Sequence, residues 1–185
     1  MTATFDAGAN RLGALSLRIA DLTERAIRVP GARSSSAATA LSALATFLER
    51  PSVDELSRVL GLSSSATVRV IDGLVAEGLA VRTRGGDRRV SAVRLTPDGR
   101  RRAAAIVAAR GHLLAEARAV LTEEERRGFD AAVDKILVGL IRTTSAPATS
   151  AAARPRGWMC RLCDTGVCGA TAAGQPCPVT LAALG

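Results

Sequence analysis

The chain has 185 residues, enough for one domain with a small appendage, and 48% of them are hydrophobic, enough to bury a core. Aromatic residues make up only 2%, and the apolar positions are mostly Ala, Leu and Val, so a mainly α-helical fold is expected rather than a sheet built from aromatic and β-branched residues. No uninterrupted apolar run reaches membrane-span length, and "MTATFDAGANRLG" lacks the basic start and apolar core of a secretory signal. A cytoplasmic protein without membrane contact is therefore expected, its thiols reduced and free of a disulfide framework. The net charge is +8, with Lys135 the only lysine. Between Val81 and Arg102 there are eight Arg against two Asp, so most of the net charge lies in one stretch. Arg is the residue suited to bidentate contacts with phosphates and guanine edges.

In chain order, Leu12, Leu15, Ile19, Leu22, Ala26 and Val29 form one apolar stripe, predicting a helix over 10–29 that ends at Pro30-Gly31. A second helix is expected over 37–49, with Leu41, Leu44, Ala45 and Leu48 on one face. Ser52 and Glu55 have capping-box spacing and open a short third helix, which closes at Gly61. Ser63 caps a fourth, expected to turn Val70, Ile71, Leu74 and Val75 inward and to end at Gly78. Two short helices around a tight turn read as a helix-turn-helix. Period-two alternation then takes over, with Val81 and Thr83 on one side of Gly85-Gly86 and Ser91, Val93 and Leu95 on the other, predicting a β-hairpin. A hairpin directly behind a helix-turn-helix makes a winged helix.

Thr96 and Pro97 open a long fifth helix, expected to run to about Leu121 with Ile106, Arg110, Leu113, Leu114, Ala117 and Leu121 on one side. Thr122 and Glu125 repeat the capping box before a last helix expected to bury Phe129, Val133, Ile136, Leu137 and Leu140. The small, proline-punctuated residues 143–157 read as a linker. The expected organisation is thus helix-forming residues 1–36, a winged helix-turn-helix over 37–95, two further helices over 96–142, the linker, and a cysteine-rich tail over 158–185.

A recognition helix needs a polar outward face whose N-terminal residues reach base edges. Ser64, Ser65, Thr67, Val68 and Arg69 are expected on that face, with Arg69 reading guanine and the hydroxyls taking phosphates or bases. Asp72 and Glu77 lie towards the far end. The wing adds Arg82, Arg84, Arg88 and Arg89, against the plainer reading of a solvated hairpin. Arg100, Arg101 and Arg102 read chiefly as solvent-facing or ion-paired.

"GLSSSATVRVIDGLVAEGLA" followed by "DRRVSAVRLTPDGRR" resembles the MarR family of winged-helix transcriptional regulators over roughly residues 10–142. The most specific element is Asp-Arg-Arg leading into Leu-Thr-x-x-Gly. The resemblance implies a DNA-binding regulator, most simply a repressor. Its outer helices would interleave in a homodimer, and its operator would be an imperfect palindrome in double-stranded DNA. It also implies that Arg89 enters a minor groove, that Asp87 braces the wing loop, and that a small-molecule effector binds between the winged helix and the dimer helices. The wing here is about a residue short, with a Gly-Gly tip, which leaves open which Arg reaches deepest.

All four cysteines fall in the tail, as Cys160-x2-Cys163-x4-Cys168-x8-Cys177. Four thiolates that fold around one centre suit tetrahedral Zn2+ and also an iron–sulfur cluster, and Pro178 after the last Cys matches a habit of cluster ligation. Free or redox-switching thiols are the remaining reading. Trp158 is expected to pack over the site and Asp164 to cap the turn. A tail with so little apolar bulk needs such a staple to fold. An enzyme is not expected: His112 is the only His, and neither a phosphate loop nor a nucleophile beside a base is present. The alternative from another class is a winged helix used for protein contacts, with the tail as a docking module and no specific DNA binding.

Overall fold

The computed structural model describes residues 6–28, 34–84, 91–144, 160–164, 166 and 179. Among these residues six helices and one hairpin follow in the order α1 (Ala7–Arg28), α2 (Ser35–Thr46), α3 (Val53–Leu60), α4 (Ser64–Ala76), β1 (Ala80–Arg84), β2 (Ser91–Leu95), α5 (Pro97–Arg118) and α6 (Glu123–Thr144). The mainly helical fold with a small β-hairpin is the one expected.

Local chemistry sets the boundaries. At α2 the Ser34 hydroxyl accepts from the Ala37 N–H at 3.1 Å. At α3 the capping box is complete: Ser52 Oγ accepts from the Glu55 N–H, and the Glu55 carboxylate accepts from the Ser52 N–H at 2.7 Å. These bonds from Ser52, backbone first, hold the Glu55 carboxyl below the usual glutamate range. Gly61 ends α3 with φ +66°, a left-handed conformation that costs glycine little. The Thr122/Glu125 box before α6 also forms, with the Thr122 N–H donating to Glu125 at 2.8 Å. Helix α2 ends at Thr46, three residues short of the expected stop, with Phe47 as its C-cap.

The core is a winged helix. Helix α2 is its centre, burying Ala38, Ala40, Leu41 and Ala43 against Leu56 of α3, Ile71 and Leu74 of α4, Val93 of β2 and Ile106 of α5. The two strands pair antiparallel with Ala80 opposite Leu95 and Arg84 opposite Ser91. A bridge from Ser52 to Ala92, and a bond from the Val93 N–H to the Pro51 carbonyl at 3.1 Å, fasten the hairpin to the start of α3.

The hinge from wing to α5 explains the Leu-Thr-x-x-Gly motif. Thr96 caps α5 through the Gly99 N–H at 3.0 Å and also donates its hydroxyl to the Gly78 carbonyl at 2.7 Å. Its own N–H bonds the Leu79 carbonyl at 3.0 Å. Gly99 is buried with the Leu79 backbone against it, so a Cβ there would overlap the Leu79 carbonyl.

Helices α1 and α5 pack together, and α1 also touches α2. The anchor of α1 is buried Ile27, whereas Leu12 and Leu15 of the expected stripe remain exposed, as does Leu17. The expectation that α6 buries its apolar residues is corrected for the single chain: Phe129, Ile136 and Leu140 are 38%, 42% and 52% exposed. Helix α6 has no extensive packing partner among the described elements, although its Ile141 is buried. No single helix among the described residues is long and apolar enough to cross a membrane.

Candidate nucleic-acid interface and cysteine turn

Helix α4 is capped by Ser63, whose Oγ accepts from the Ala66 N–H at 3.3 Å. Ser64, Ser65 and Arg69 are exposed on it and form a short polar face at its N-terminal half. Ser64 donates to Asp54 at 3.3 Å and Ser65 Oγ lies 3.2 Å from Ser63 Oγ, contacts that organise this face from α3 and from the cap. Thr67 corrects the expectation of an outward residue. It is fully buried, and its hydroxyl donates to the Ser63 carbonyl at 3.0 Å. The cause is helical phase, since positions 67, 71 and 74 lie on one stripe and the last two are Ile71 and Leu74. By the same phase Val75, expected inside, is 37% exposed.

On the wing, the Arg82 guanidinium meets Asp72 of α4 at 2.6 Å. It is therefore engaged in tying β1 to α4 rather than projecting free, a pairing between two elements that no local pattern in the sequence marks. Arg84 ends β1, and its side chain lies outside the described positions. Asp87, Arg88 and Arg89, the expected wing tip, lie outside the described residues altogether. Arg100 donates to the Leu95 carbonyl at 3.1 Å across the wing–α5 junction, whereas Arg101 pairs with Asp98 within the first turn of α5.

The tail returns to the body. Cys160 opens a tight turn in which the Cys163 N–H bonds the Cys160 carbonyl at 2.9 Å. Leu162 packs against the main hydrophobic core. The Cys163 thiol is held down to about 6, first by a hydrogen bond with the Cys160 thiol and then by the nearby Arg110 and Arg161 guanidiniums, with burial opposing. The Asp164 carboxylate accepts from the Gly166 N–H at 2.9 Å, the turn-capping role expected of it. Cys168, Cys177 and Trp158 lie outside the described residues. Among the described residues no three His, Cys, Asp or Glu side chains converge as a metal site. The turn borders a cavity of about 890 Å3, walled by α2 and α5 and including Arg100, Arg110 and His112.

Because alkylation requires the thiolate, the Cys163 rate in reduced, metal-free protein is expected to rise with pH around a midpoint near 6. In Cys160→Ala the midpoint should move up towards the ordinary cysteine range. A parent profile centred in the ordinary range would contradict the paired-thiol geometry.

A capped α3–turn–α4 unit with a hairpin folded back on its core defines a winged-helix protein. Residues 33–90, the winged-helix segment, match the MarR family model. Solved structures agree in fold. YusO from Bacillus subtilis is 25% identical, with a TM-score of 0.59 over 68% of this chain and 89% of that one. MarR from E. coli is 24% identical, with a TM-score of 0.57 over 68% and 96%. MepR, a transcription regulator of the Staphylococcus aureus multidrug efflux pump MepA, is 16% identical, with a TM-score of 0.63 over 74% and 99%. No curated protein sequence matches the chain.

Proposed function

We propose that this protein is a MarR-type homodimeric transcriptional repressor that binds a palindromic operator in double-stranded DNA. One observation carries the reading: Arg69, Ser64 and Ser65 are exposed together on the N-terminal half of α4, ahead of an arginine-rich wing. In this reading Arg69 contacts base edges, the serines contact phosphates, and the wing residues Arg84, Arg88 and Arg89 follow the adjacent groove, with Asp87 as their brace. Arg82 acts mainly through Asp72, which fixes the wing relative to the recognition helix. Support for the dimer comes from the apolar faces that α1 and α6 leave exposed, at Leu12, Leu15, Phe129, Ile136 and Leu140. A two-fold dimer would present two α4 helices to half-sites about one DNA turn apart. The open part of the α2–α5 cavity, beside the tail turn that lines it, is the place for a small-molecule effector.

Selection of bound fragments from a random double-stranded pool tests this reading. An imperfect palindrome with half-sites about ten base pairs apart is expected, bound by a species of dimer mass in sedimentation. Recovery of unselected sequence would reject it in favour of a protein-contact module.

The tail is proposed to hold Zn2+ through Cys160, Cys163, Cys168 and Cys177, with an iron–sulfur cluster as the alternative for the same donors. The Cys160–Cys163 turn fits a two-thiolate knuckle, because its backbone bond turns both side chains to one centre. A structural tetrathiolate supplies folding free energy to a segment too small to fold alone. Anaerobic purification followed by zinc, iron and sulfide analysis should give one zinc per chain and a colourless protein, with the metal content falling in Cys163→Ser. Brown protein with sulfide would assign the cluster, and unchanged metal in the variant would remove the site.

A further inference from the structure

One flank of α5, beside its core residue Ala103, carries only small side chains. Ala104, Ala108, Gly111 and Ala115 recur three or four residues apart along it, and all four line the cavity beside α2. Small side chains let another backbone approach closely, but a stripe of this kind has no occupant of its own. Here the occupant is present in the chain: Leu162, Cys163 and Asp164 line the same cavity from the tail side. Leu162 also reaches through to the main core. The single large apolar residue of the Cys160–Asp164 turn is thus the one used as the anchor. The cavity extends along α5 to Arg100, which donates to the Leu95 carbonyl at the base of the wing.

We propose that the Cys160–Asp164 turn is an intramolecular ligand of the α2–α5 cleft, anchored by Leu162, through which a thiophilic divalent cation taken up by the tail is reported to α5 and the wing base. The seat itself needs no metal; its reporting role rests on the four-thiolate reading above. Cys160 and Cys163 flank the anchor on both sides, so drawing their sulfurs to one ion fixes the residue between them. A seated Leu162 then holds α5 against α2, and the ion tightens a turn that is already seated without it.

The test uses the full chain, reduced and stripped of metal, as parent, Leu162→Ser and Leu162→Met. Alkylation of Cys160 and Cys163, read by mass spectrometry, should be about fivefold faster in Leu162→Ser, because the unseated turn loses its shielding, and near parental in Leu162→Met. Equal rates in the parent and Leu162→Ser overturn the seat. With one equivalent of Zn2+, amide exchange over residues 100–115 should slow in the parent but not in Leu162→Ser, although both take up the ion. Equal slowing in both overturns the reporting role. A parent that takes up no Zn2+ refutes the four-thiolate reading and the reporting role together, while the metal-free comparison still decides the seat.

Discussion

Replacing Arg69 with Ala is expected to weaken operator binding by about 1–3 kcal/mol, roughly 5- to 150-fold, and to relax base preference at one position of each half-site. The exposed guanidinium stands on the α4 face where base edges would be read, so its loss removes discrimination as well as affinity. Arg89→Ala should weaken binding too, but nearly uniformly across sequences, as expected for a wing residue following the adjacent minor groove. Competition titrations with a set of singly substituted operators separate the two patterns. If both variants bind as tightly and as selectively as the parent, the interface lies elsewhere.

The second large effect is structural. Gly99→Ala should destabilise the fold by about 3 kcal/mol, the upper part of the range for overpacking a filled site, and lower Tm by roughly 6–12 °C at this chain length. The added methyl would meet the Leu79 backbone, which must shift because a carbonyl cannot rotate away as a flexible side chain can. That carbonyl also accepts from Thr96, so the cap of α5 is disturbed by the same movement. The wing follows from Leu79–Ala80, so the variant should also lose DNA affinity. A parental Tm in a thermal melt of Gly99→Ala would show that the junction is looser than this packing implies.

Much of this architecture is legible in the residues because caps and turns are local. Ser52 with Glu55, Ser63, Thr96 with Pro97, and Thr122 with Glu125 each mark a helix start that the structure contains. Gly61 and Gly78, at φ +66° and +70°, mark the tight turns. Thr67 was open to a correct reading, since its spacing from Ile71 and Leu74 puts it on the buried stripe. Polarity of the residue type suggested the outside, but the hydroxyl is satisfied by the Ser63 carbonyl within the helix. Other features are tertiary and leave no local pattern. The Arg82–Asp72 pair joins two elements ten residues apart, and Leu162 reaches a cleft formed far earlier in the chain. The apolar residues of α6 were readable as a stripe, yet among the described residues Phe129, Ile136 and Leu140 of that stripe remain exposed while Ile141 is buried.

The capping boxes also give the fold a pH limit. The Glu55 carboxyl is held below its usual range by Ser52, and that of Glu125 by Thr122. A depressed carboxyl contributes stability above the ordinary glutamate range and loses it as pH falls through the lowered value. Helices α3 and α6 should therefore loosen at their N-termini first on acidification.

The most direct test of the central claim is the affinity for a selected operator measured from 50 to 200 mM salt. A cationic surface that neutralises six or more phosphates predicts a linear fall on logarithmic axes, by about a thousandfold or more across that range. Affinity that does not change with salt, or that is equal for operator and scrambled duplex, would contradict it.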